Sequence, residues 1–264
     1  GMRLVFPLLI VSFAAQVAPW EALRIAALEP KRYADIMLAA NVPVSAFGGA
    51  FLLAVGLKYF FDKNKEIHWI QMVEKPLVQL GKLEAIEIGI VLILLYSFSR
   101  LLPSADHISF LGTGILGLIT FIVVDGLSSL LELPKETQKD IHKASFSMFI
   151  YLEVLDSSFS FDGVIGAFAI TNNLFIIAIG LGIGAMFVRS LTIFLVEKNA
   201  LQQFIYLEHG AFYAIIALAV IMIMGTLFHI SEVVTGLIGV GFIGLSIWSS
   251  HLQSRAENKG DAAV

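Results

Sequence analysis

The sequence predicts an all-α fold, a polytopic transmembrane helical bundle of about eight helices. Three observations carry that expectation. Hydrophobic residues make up 58% of the 264 positions and charged residues only 14%, whereas soluble domains average about 45–50% and about 25%. The apolar residues fall in blocks, several of which reach the ~20 residues that a transmembrane helix needs. The mean hydropathy of +0.86 agrees. The small net charge of −4 argues against nucleic acid as a partner. The absence of cysteine excludes disulfides, thiolate metal sites and thiol catalysis. No cleavable signal peptide is expected, because the first apolar block begins at residue 4 with no small-residue cleavage pattern leading into a soluble body.

In chain order the apolar segments are A (Leu4–Ala18), B (Val42–Phe61), C (Leu83–Leu102), D (Phe110–Leu131), E (Ala144–Thr171), F (Leu174–Val196), G (Phe204–Phe228) and H (Val233–Ser250). Residues 1–250 thus form one transmembrane domain. Between A and B, Trp20–Leu38 is a polar, partly amphipathic connection containing Pro30. Between B and C, Asp62–Lys82 carries much of the charge. The tail 251–264 is small and polar and is expected to be disordered.

Lys and Arg in alternate loops set the orientation. Arg3, Lys58, Lys63, Lys65, Lys75, Lys82, Lys135, Lys139, Lys143, Lys198, Arg255 and Lys259 fall on one side, against Arg24, Lys31, Arg32 and Arg100 on the other. The first side is expected to be cytoplasmic, with both ends of the chain inside, in a bacterial inner membrane. Segments A and F align with Arg3 on Arg189, and Gly49-Ala50-Phe51 of B matches Gly210-Ala211-Phe212 of G. A and F run in opposite directions, so the pairs suggest an inverted repeat of the kind found in secondary transporters. Segment E precedes F and nothing equivalent precedes A. The first repeat is therefore expected to lack its opening helix, as if the sequence began inside a longer protein.

Segment E holds the densest chemistry: Glu153, Asp156, Ser157, Ser158, Ser160 and Asp162 in an apolar span. Each acid at a helix centre costs roughly 2.5–3.5 kcal/mol on insertion scales, so these acids must face the bundle interior or a cavity. Glu153, Asp156 and Ser160 share one helical face, and Asp162 falls opposite. A break near Phe161–Gly163 would bring them together and free carbonyls as ligands. Oxygen donors of these types suit manganese, calcium or magnesium. No other cofactor is implied. The competing reading is a buried ion-pair network that locks packing, with Arg189 neutralising one acid. Asp125, Arg189, Thr192 and Glu208 are supporting candidates. Thr192 could equally bond back to its own helix, Glu208 and His209 suit an interfacial role, Glu84 and Glu87 read as interfacial charges, and Asn172 and Asn173 suit a turn.

The stretch Leu155-Asp156-Ser157-Ser158-Phe159-Ser160-Phe161-Asp162-Gly163-Val164-Ile165-Gly166-Ala167-Phe168 resembles the TerC-like integral membrane proteins, closest to their branch described only as a domain of unknown function. Phe187-Val188-Arg189-Ser190-Leu191-Thr192 and Tyr206-Leu207-Glu208-His209-Gly210-Ala211-Phe212 extend the resemblance over essentially the whole chain. It implies membership of a transporter and exporter superfamily linked to manganese efflux and tellurite resistance, with Ser160 and Asp162 in the cation site. The family also carries an earlier helix with a matching Ser-x-Asp-Asn motif, which is missing here.

The function expected is thus export or transport of a hard divalent cation, manganese first, by a protein that is not an enzyme. The partners are the lipid bilayer, the metal cation as substrate and, as an open option, a second copy of the chain. The alternatives are a membrane scaffold in a metal-stress assembly and, below it, an intramembrane hydrolase. The Gly-x-Gly-Asp, Gly-x-Ser-Gly and His-Glu-x-x-His patterns expected of a hydrolase are missing.

Overall fold

The computed structural model describes residues 2–63, 65–131, 149–150, 152–156, 164, 167, 174–197, 204–228 and 230–261. Among them the ordered elements are all helices, and no strand is present. The first helix, α1 (Met2–Ala14), is shorter than segment A, because the chain turns at Gln16, whose φ of 51° lies in the left-handed region. Two helices follow where the sequence suggested a polar connection, α2 (Pro19–Leu28) and α3 (Pro30–Ala39). Each begins on a proline, whose fixed φ and missing N–H suit the first helical position. The α1–α2 pair bends by 103° and so forms a broken span or a re-entrant turn. Tyr33 and Met37 of α3 are fully buried with Val11 of α1 and Ala22 and Ile25 of α2.

Segment B matches α4 (Asn41–Phe61) almost to the residue. After it come α5 (Gln71–Leu80), α6 (Ile86–Ser99), α7 (His107–Leu131), α8 (Leu174–Glu197), α9 (Leu207–Gly225) and α10 (Glu232–Asp261). Five described helices are long and apolar enough to cross a membrane, or six if the bent pair counts as one span. Segment C is the clearest shortfall. Its helix α6 has 14 residues, about 21 Å of rise against a ~30 Å hydrocarbon core. Ala85, with φ 56°, breaks the helix before Ile86. Helix α10 runs on to Asp261 through the polar tail. The Tyr206 N–H donates to Ser250 Oγ at 2.9 Å and the Tyr206 hydroxyl to Gln253 Oε1 at 2.9 Å, fixing that extension to the start of α9.

Helix α4 is the hub, packed on α7, α9 and α6. It reaches that position because small residues let backbones approach. Gly49 and Gly56 face Ile223 and Ile216 of α9 in descending order, so α4 and α9 are antiparallel. Gly117 of α7 lies against the Phe47 carbonyl and Phe121 meets Phe51, so α4 and α7 are parallel. Gly210 faces Ser246 and Tyr213 stacks on Phe242, which sets α9 antiparallel to α10. The C-terminal ends of α4 and α7 and the N-terminal end of α9 therefore gather at one end of the bundle, where the charged side chains concentrate.

Candidate functional site

Of the acids expected in segment E, Glu153 and Asp156 are described. They sit a helical turn apart in residues 152–156 and both are half-buried. Val154 and Leu155 between them pack on the apolar core around Phe51 and Phe121, so this turn lies against the central spans. Ser160 and Asp162, the proposed break at 161–163, the neighbouring serines and Asn172 and Asn173 lie outside the described residues. Among the described residues no three His, Asp or Glu side chains converge as a metal site.

The supporting residues are scattered. Arg189 and Thr192 are exposed on α8. The Thr192 hydroxyl donates to the Val188 carbonyl at 2.9 Å, the back-bonding role weighed against ligation. No described carboxylate pairs with Arg189. Glu208 is exposed in the first turn of α9, where its charge complements the helix dipole.

Asp125 has a definite partner. It lies near the end of α7 and forms an ion pair with Lys58 near the end of α4, the side chains 33% and 50% exposed. The pair faces a cavity of about 610 Å³. The spans supply Val55, Tyr59, Phe121 and Phe212 to its walls, and the α4–α6 connection supplies Asp62, Lys63, Gly81, Glu84 and Ala85, with Glu87 from the first turn of α6. Glu84 and Glu87, which read as interfacial charges, thus line a cavity with both signs of charge.

Beside it lies a cluster that sequence reasoning missed. Glu74 of α5 is completely buried and accepts from every side. The N–H groups of Ile70 and Trp69 donate to its two oxygens at 3.1 and 3.3 Å, and the Tyr213 hydroxyl donates at 3.3 Å. The Lys65 ammonium, its side chain 7% exposed, stands 3.1 Å from Oε2. It is poorly aligned for a hydrogen bond to that oxygen, and it lies over the rings of Tyr59 and Phe60 at 4.2 and 4.3 Å. Burial pushes the Lys65 pKa down, and the Glu74 carboxylate only partly offsets it. His209 completes the cluster. Its Nε2 lies 2.8 Å from the Ile67 carbonyl, which can only accept, so that nitrogen carries the proton. Its Nδ1 then accepts from the Tyr59 hydroxyl at 3.3 Å. The interfacial role expected of His209 gives way to a buried one, because the chain around Ile67 folds over it. The one available sequence signal was chemical: an acid, a lysine and a tryptophan close together beside a short helix containing Pro76.

No curated protein and no solved structure matches the chain. A family model matches residues 1–257. By that match over nearly its whole length, together with a structure built of apolar helices, the chain belongs to the family described as protein of unknown function DUF475.

Proposed function

We propose that the protein transports a hard divalent cation, manganese first, across the membrane by way of the acids of residues 153–162. The observation that carries this reading is the pair Glu153 and Asp156, half-buried one turn apart while Val154 and Leu155 between them pack on the central spans. Intramembrane acids in the bundle interior mark ion pathways more often than structure. Oxygen ligands favour hard cations. The sequence resemblance to TerC-like exporters supports the same substrate class, and the Arg3/Arg189 and Gly49/Gly210 correspondences support the inverted repeat that such transporters use. The test is cellular manganese, measured in cells with the full-length protein and in cells lacking it. The reading requires a difference that Asp156→Asn abolishes. Equal manganese in both kinds of cell would overturn it.

A second reading, a membrane scaffold in a metal-stress assembly, is favoured by α8. That helix exposes nearly its whole length, Arg189 included, and an arginine at membrane depth suits an acidic partner. Under this reading manganese would be unchanged and Arg189→Leu would disrupt an assembly isolated from membranes.

A further inference from the structure

We propose that Asp62, Lys63 and residues 65–85 form a movable strap over the mouth of the cavity between α4, α7 and α9, latched where Glu74 accepts from Tyr213 of α9 and where its ion-pair partner Lys65 lies over Tyr59 and Phe60 of α4. Calling that cavity the mouth of a cation path rests on the transport reading; the latch itself does not.

The strap is attached in an unusual way. Glu74 is the one residue of α5 that is fully buried. Its neighbours Met72 and Val73 point outward, 89% and 46% exposed. A helix docked through an acid, with apolar residues turned away, gains little from the hydrophobic effect at that contact. It suits a position at the bilayer surface, with Met72 and Val73 on lipid. What holds it is the polar cluster together with the Trp69 ring, which packs on Tyr206 and Tyr213, and removing one partner of a buried charge pair costs far more than removing both. The strap leaves and rejoins the bundle at one place. Gly81, near its end, lies so close to the carbonyl of Phe61, just before its start, that a Cβ would overlap it, and Ala85 then makes the left-handed turn into α6. The middle can therefore swing while the ends stay.

Latch and cavity share a wall. The Tyr59 hydroxyl bonds to His209 in the cluster, its ring stacks on Phe212 at 3.8 Å, and both rings line the cavity with Lys58 and Asp125. Release of Glu74 frees Lys65 from its place over Tyr59 and lifts Asp62 and Lys63 away from the cavity. Loops of this kind gate access to sites on rigid scaffolds.

The chain has no cysteine, so one introduced thiol reports without background. Val55→Cys puts it in the cavity wall, and Ala219→Cys puts a control in the packed core of α9. Labelling by a water-soluble maleimide is timed on the purified full chain. Glu74→Gln is expected to speed labelling at position 55 several-fold and leave position 219 slow. Glu74→Gln with Lys65→Met, which leaves no unpaired charge, is expected to restore the slow rate at 55. An unchanged rate at 55, or equal acceleration at 219, overturns the latch. Should Glu74→Gln not yield folded protein, Tyr213→Phe removes one donor from the carboxylate and must raise the rate at 55; no change there overturns the proposal equally. Absence of manganese transport would leave all these labelling outcomes standing, so the two readings fail separately.

Discussion

Glu74 and Asp125 are both paired acids, and their surroundings make them different. Asp125 and Lys58 open onto the cavity, and pairs exposed to solvent contribute about 0–1 kcal/mol. Asp125→Asn should therefore shift stability by less than ~1 kcal/mol, read by thermal unfolding in detergent. Glu74 is sealed from solvent with three hydrogen-bond donors and the Lys65 ammonium around it. Breaking a buried pair costs about 3–5 kcal/mol, so Glu74→Gln should cost about 3 kcal/mol, limited by release of the strap that returns Lys65 to water. Equal losses for the two substitutions would contradict the assignment of Glu74 as the anchor. Ala85 offers a gain in the other direction. Its left-handed φ of 56° costs an L-residue about 1–2 kcal/mol, so Ala85→Gly should raise stability by up to about 1 kcal/mol, checked in the same melts. Asp125 stood out in the sequence, but the partners of Glu74 did not. Tyr213 and Glu74 meet across 139 positions, and no helical period reports such a contact. The acids of segment E were legible for the opposite reason: carboxylates inside an apolar run stand out one residue at a time.

At the scale of elements, uninterrupted apolar length was the reliable signal. Segments B, F and G match α4, α8 and α9 within a few residues. Misreadings came where backbone geometry intervened, as at Gln16, which ends α1 early, and Ala85, which shortens α6. The α2–α3 pair was missed for another reason. Its polar residues face outward while Tyr33, Met37 and Ile25 are buried, a pattern that two short proline-initiated helices blur. Close helix contact depends on particular glycines, and this can be tested. A Cβ on Gly117 would overlap the Phe47 carbonyl, which cannot yield as a side chain tip would. Gly117→Ala should push α7 off α4 and cost about 1–3 kcal/mol. Gly89 of α6 has open space where its Cβ would stand, so Gly89→Ala should leave the melting temperature unchanged or slightly raised. A harmless Gly117→Ala would mean that α4 and α7 do not pack as described.

For the whole molecule, parallel α4 and α7 beside antiparallel α9 bring Lys58, α5 and the start of α9 to one end of the bundle. The loop charge bias predicts that this end is cytoplasmic. Reporter fusions within Asp62–Lys82 should therefore read as cytoplasmic, and an external reading would reverse the orientation while leaving α4 and α9 antiparallel. Lys and Arg distribution is visible in the sequence alone. Which acids meet at depth is not, since that depends on contacts between residues far apart in the chain. The most direct test of the transport reading is manganese flux into proteoliposomes carrying the full-length protein, followed beside its thermal stability. The account predicts flux with the wild-type chain and its loss in Asp156→Asn at unchanged melting temperature, by more than the about 10–100-fold that disturbing a metal's outer shell costs. Undiminished flux in Asp156→Asn, or a folded wild-type protein that moves no manganese, would contradict it.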